Sequence, residues 1–140
     1  MIDLLACLRA LQLFTHNAHN LCARSIFFGD HDFFGSSYGE AESDYDSLIE
    51  RIIGIKGEVP ELELKSLLSK VILKLEGAPS INQKENKVFF VHQLKMEQNI
   101  CSYIESLCKS AGLSQGEIQL LGDIAQRSQI RQYKIKQRCK

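Results

Sequence analysis

The sequence predicts an all-α protein, a bundle of four long helices with a short fifth helix in the connection between the second and the third. Three observations carry this. Phe34, Tyr38, Ala41, Tyr45, Leu48 and Ile52 recur at alternating steps of four and three, the seam of a helix packed nearly parallel to its neighbours. Only two prolines occur in 140 residues, so few positions forbid a long helix. Alternation at a period of two, the mark of a half-buried strand, is weak throughout.

The first helix is expected over about residues 2–22, where Leu4, Leu5, Leu8, Leu11 and Phe14 share one face. The seam just described places the second from about Gly29 to Ile55. Gly57 and Pro60 break the pattern over Lys56–Pro60. A shorter amphipathic stretch follows over 61–75, with Leu64, Leu67, Leu68, Val71 and Leu75 as its apolar positions, and is expected to be a short helix. Gly77, Pro79, Ser80 and Asn82 form the next break. The third long helix is expected over about 83–110, with Phe90, Leu94, Cys101, Ile104, Cys108 and Ala111 on a heptad seam and Glu97 in its one polar slot. Gly112 is a C-cap candidate. Ser114 with Glu117 three residues later is a capping-box signature, opening a last helix from about Gln115 to Lys136. No repeat or low-complexity tract interrupts the chain, and residues 1–140 read as one domain. An up-down-up-down bundle needs only short loops. A long middle crossover belongs to the ferritin-like variant of the four-helix bundle.

Composition narrows the function classes. Hydrophobic residues make up 44%, which suits a globular chain, and 17 basic residues balance 17 acidic ones. No global charge attracts the chain to nucleic acid or to an acidic membrane. Asp3 interrupts the N-terminal apolar run, the first Arg comes at position 9 and no small-residue cleavage site follows, so no signal peptide is expected. No apolar run approaches the roughly 20 residues of a membrane span. The expectation is a soluble, cytoplasmic protein. Its five cysteines, Cys7, Cys22, Cys101, Cys108 and Cys139, are odd in number and lack C-x-x-C spacing. They read as small buried hydrophobes in a reducing compartment.

The chemistry centres on His19, His31, Asp46 and Glu50. Two imidazoles and two carboxylates form a mixed nitrogen and oxygen donor set suited to iron(II), manganese or zinc. Asp46 and Glu50 are i and i+4 and share a helical face. They flank the seam at Tyr45, Leu48 and Ile52, so at least one is expected at the edge of buried surface, where a cation would offset the cost of an unpaired carboxylate. Each residue alone is ordinary, and the joint spacing carries the weight. His31 follows His19 by twelve, Asp46 follows His31 by fifteen, and Glu50 follows Asp46 by four.

At these residues the chain resembles the Dps family of ferritin-like proteins, or mini-ferritins. The likeness extends to His19-Asn20, to Phe27-Phe28 ahead of His31, to Phe34 and Tyr38 after it, and to Glu50-Arg51-Ile52, and covers about residues 16–53. The resemblance implies a ferroxidase centre between two subunits, with His19 and His31 from one and Asp46 and Glu50 from its neighbour. It also implies a homo-oligomeric shell of twelve subunits, a dodecamer that oxidises iron with hydrogen peroxide or dioxygen, stores ferric mineral and protects against oxidative damage. By the same resemblance Glu117 and Asp123 would lie near pores through which iron enters. One departure stands out. Where the family often carries an acidic residue, four positions after His31, this chain has Gly35, which removes an expected ligand of a second metal ion. Asp30 and Asp32 lie on other faces of the helix.

Other residues carry weaker readings. His16 suits a surface position or an auxiliary ligand. Tyr38 and Tyr45 suit core packing. His92 and Glu97 raise the rival of a centre inside one bundle, but that design uses Glu-x-x-His pairs, and the sequence contains none. Glu97 is expected to pair with a basic residue or face an interface. The alternative function is a nucleoid-type DNA-binding protein. No lysine-rich N-terminal tail precedes the first helix, but residues 131–140 hold five basic residues and no acidic one. That suits salt-sensitive phosphate contacts, and equally a solvated helix end.

Overall fold

The computed structural model describes residues 1–80, 85–110 and 112–140. It contains helices α1 (Ile2–Leu21), α2 (Phe27–Lys56), α3 (Leu64–Lys74), α4 (Lys87–Lys109) and α5 (Gln115–Arg138), with a short 3-10 turn at Pro60–Leu62. Among the described residues there is no strand. The expected break at Asn82, the expected helical residues 83 and 84, and Ala111 of the third seam lie outside the described residues. No helix among the described residues is long and apolar enough to cross a membrane.

Side-chain pairs fix the chain directions. The Arg9 guanidinium lies 3.7 Å from the centre of the Tyr45 ring, His16 packs on Tyr38 at 4.4 Å and His19 on His31 at 3.6 Å, so α1 and α2 are antiparallel. Asp44, Glu40 and Asp30 of α2 pair with Arg127, Arg131 and Arg138 of α5, again antiparallel. Glu97 meets Arg131 while Cys101 meets Ser128, which makes α4 and α5 antiparallel too. It follows that α2 and α4 run parallel, and Phe34 on Phe90 and Ser37 on Gln93 agree. The connection over 57–86 therefore has to return the chain along the length of the bundle, and α3 lies within it, against α1.

Local chemistry sets the element ends. α2 stops at Gly57, whose φ of 72° favours a residue without a side chain. α5 opens with the expected capping box: the Ser114 hydroxyl accepts from the Glu117 amide, and the Glu117 carboxylate accepts from the Ser114 amide. That bonding holds the Glu117 carboxyl below its ordinary range. α1 is the most enclosed helix, because it touches α2, α4 and α3. Leu4, Leu5, Leu8 and Leu11 on it are fully buried, and each such leucine contributes about 1.5–3 kcal/mol.

Two expectations about packing need correction. Leu64 and Leu68 are exposed, and only Leu67 and Val71 of α3 are buried, because α3 lays one narrow face on α1. The α4 seam also drifts. Its buried residues are Phe89, Phe90, Gln93, Met96, Glu97, Ile100 and Ile104, while Cys108 is exposed. An α-helix of 3.6 residues per turn rotates about 20° per heptad against a strict 3.5 repeat, which carries Cys108 off the core. Of the other free cysteines, Cys7 and Cys22 are buried, and Cys101 and Cys139 are half-buried. Burial pushes the Cys7 thiol up to about 11, so it packs as a small apolar group.

The contact between α2 and α5 has a row of ion pairs at its centre. Arg131, 3% exposed, gives Nε to Glu97 Oε1 at 2.6 Å and Nη1 to Glu40 Oε2 at 2.6 Å. Burial opposes its charge, and the two carboxylates more than offset that and raise its pKa. Glu97, fully buried, also accepts from Ser128 at 2.7 Å and from Gln93 at 3.1 Å. A buried carboxylate with this many donors is satisfied, which bears out the expectation of a basic partner. Farther along, Arg127 donates to Asp44, whose carboxyl is nonetheless raised by burial.

Candidate metal centre

His19 sits in the last turn of α1 and His31 in the first turns of α2. The two clasp each other across the helix hairpin. His19 Nδ1 lies 2.8 Å from the His31 carbonyl oxygen, and His31 Nδ1 lies 2.8 Å from the His19 carbonyl oxygen. A carbonyl only accepts, so each Nδ1 carries a proton. In the neutral form of either ring this leaves the lone pair on Nε2, the atom able to bind a metal. The rings stack at 3.6 Å between centroids, Phe27 stacks on His31 at 4.8 Å, and Tyr38 stands edge-on to His19 at 5.4 Å. The Cys22 thiol donates to the His19 carbonyl at 3.4 Å. Burial raises its pKa and Asp30 adds to the effect, so it stays a thiol.

Asp46 and Glu50 lie on the same helix as His31 but far along it. Fifteen residues at 1.5 Å each separate His31 from Asp46 by about 22 Å. Both carboxylates are exposed. Neither takes part in an ion pair among the described residues. Glu50 borders an open groove of about 540 Å³ with Ser47, Arg51, Gly54, Ile55 and Leu120. The structure thus brings His19 to His31, and leaves Asp46 and Glu50 together elsewhere. Among the described residues no group of three or more His, Cys, Asp and Glu side chains within the chain is placed to hold a metal ion.

The remaining expected residues fall as follows. Gly35 lies one turn beyond His31, and a Cβ there would stand 3.1 Å from His19 Nδ1. Asp30 is buried and accepts from Arg138 and Asn86, while Asp32 is exposed. His16 is exposed against Tyr38. Tyr38 is half-buried and Tyr45 buried. His92 packs on Phe14 at 4.7 Å, and its buried Nε2 has no partner among the described residues. Burial, with Lys95 nearby, lowers its pKa. Glu117 and Asp123 are both half-buried on α5. Six residues at 100° each put them on different sides of that helix. Of the five basic residues over 131–140, Arg131 and Arg138 are engaged with α2 carboxylates, and Lys134, Lys136 and Lys140 are exposed.

Sequence reasoning missed the reciprocal histidine clasp and the arginine row of α5. The second had a readable signal, since Arg127 and Arg131 are i and i+4 and Asp44 and Glu40 are spaced to match in reverse. The first had none, because it runs from ring to backbone. No protein-family model matches this chain, and no curated protein matches it in sequence.

Proposed function

We propose that the protein is a ferritin-like mini-ferritin of the Dps type, a ferroxidase that oxidises iron(II) at a site shared between subunits and stores the ferric product inside a homo-oligomeric shell, a dodecamer, in the cytoplasm. The observation that carries this reading is the division of the donor set. Two imidazoles are held through Nδ1 at one end of the α1–α2 hairpin, and two exposed carboxylates, without an ion-pair partner among the described residues, stand farther along α2 about 22 Å away. Neither half makes a site alone, and a second copy would supply the half that each lacks. The chain directions support the same fold: a long crossover joins two parallel helices, as in ferritin-like bundles.

The donors suit the reaction. Iron(II) is the substrate. His19 and His31 bind it through neutral nitrogen, and Asp46 and Glu50 add negative charge that stabilises the ferric product more than the ferrous substrate. Two iron(II) ions release one electron each. Hydrogen peroxide accepts both electrons and two protons, its O–O bond breaks, and two waters form. Glu117 is held in its capping box, so in this reading Asp123 is the residue left to line an entry pore.

The test is the double variant His31→Ala with Glu50→Ala, which removes one donor from each half. Fast iron(II) oxidation, followed by stopped-flow absorbance, is expected to disappear while the protein remains folded. Oxidation at the wild-type rate would defeat the proposal.

A further inference from the structure

Resting on the metal reading, we infer that Gly35 is a positioning residue of the centre: its missing side chain makes the room in which the His19 ring holds its metal-binding tautomer. A Cβ at residue 35 would lie 3.1 Å from His19 Nδ1 and 3.2 Å from its Cε1, inside the 3.5–4.0 Å of an ordinary non-bonded contact. Two neighbours limit where the half-buried ring can move. His31 covers one face at 3.6 Å and Tyr38 closes an edge at 5.4 Å. The atom the Cβ would press is also the one that donates to the His31 carbonyl at 2.8 Å. With α1 and α2 packed as they are in this chain, a Cβ at 35 therefore competes with the bond that keeps the proton on Nδ1 and the lone pair on Nε2.

Gly35 alone among the glycines would press on a histidine ring; a Cβ at Gly116 would meet Arg51 Nη1 at 3.3 Å, the end of a long flexible side chain. Gly29, Gly39 and Gly54 of the same helix have nothing within 4 Å of a Cβ in the chain, and neither does Gly122 of α5. Gly35 also stands where the family resemblance leads one to expect an acidic ligand. In this chain the histidine ring occupies that space.

The experiment compares wild type, Gly35→Ala and Gly122→Ala. Ring-nitrogen 15N NMR of the metal-free protein reads the tautomers, and calorimetric titration with zinc(II) reads affinity. Wild type and Gly122→Ala are expected to show both histidines protonated on Nδ1. Gly35→Ala is expected to put part of His19 in the Nε2-protonated form and to weaken zinc(II) binding by about 10–100-fold, as loss of an orienting contact to a ligand does. A wild-type spectrum and affinity in Gly35→Ala would overturn the inference and leave the metal reading standing. A tautomer change with no zinc(II) binding even by wild type would overturn the metal reading, and with it the role of Gly35 in a metal centre. Should Gly35→Ala fail to fold, the double variant Gly35→Ala with His19→Ala removes the opposing ring and is expected to fold. Its failure would also overturn the inference.

Discussion

Arg131→Leu removes the cation that answers a fully buried carboxylate. Glu97 is 0% exposed and takes two bonds from the Arg131 guanidinium, at 2.6 and 3.0 Å. Without them it keeps only Ser128 and Gln93, neutral donors that cannot balance a charge in a medium of low polarity. Breaking a buried pair from one side costs about 3–5 kcal/mol. The second pair, Arg131 with Glu40, adds little, because the Glu40 side chain is 44% exposed. At roughly 3 °C per kcal/mol for a chain of this size, the melting midpoint should fall by about 10–15 °C. The cost belongs to the stranded charge rather than to lost attraction, so Glu97→Leu with Arg131→Leu should recover most of it. Denaturant unfolding of the three proteins at fixed concentration measures all of this. A single-variant loss under about 1 kcal/mol, or a double variant no better than the single, would refute the reasoning.

Two further outcomes follow from the same physical terms. The fold favours neutral His92, whose pKa burial lowers. Below the ordinary histidine value of about 6.5 the unfolded chain binds a proton that the folded one resists, so stability is lost as pH falls through that value. His92→Phe should flatten that part of the stability–pH curve, and an unchanged slope would count against it. Ser114→Ala deletes the hydroxyl that accepts from the Glu117 amide and should cost about 1 kcal/mol, read as a lower unfolding midpoint without change in helix content; a midpoint equal to wild type would show the cap to be idle.

Much of the fold was legible because helix periodicity is a local signal. The α2 seam from Phe34 to Ile52, the capping box at Ser114 and the stop at Gly57 each depend on residues a few positions apart, and each stands where the spacing puts it. The errors arose where neighbours decide. Leu64 and Leu68 have the helical spacing of buried residues, but nothing in the sequence says that α3 meets α1 through one narrow face. Cys108 belongs to a heptad by count, yet the drift of a straight helix takes it outward. The candidate site divides in the same way. His19, His31, Asp46 and Glu50 could be chosen by offset. The clasp that sets their tautomers, and the clearance that Gly35 provides, depend on how α1 and α2 meet, which pattern alone does not specify.

The central claim is that the two histidines of one chain and the two carboxylates of another hold the same iron ion. A crystal structure of iron-loaded protein, with anomalous scattering recorded at the iron edge, tests it most directly. The account predicts an iron peak between two chains, bonded to Nε2 of His19 and of His31 in one protomer and to Asp46 and Glu50 of its partner. A peak inside a single bundle, beside Glu97 or His92, or no peak near any of the four residues, would contradict it.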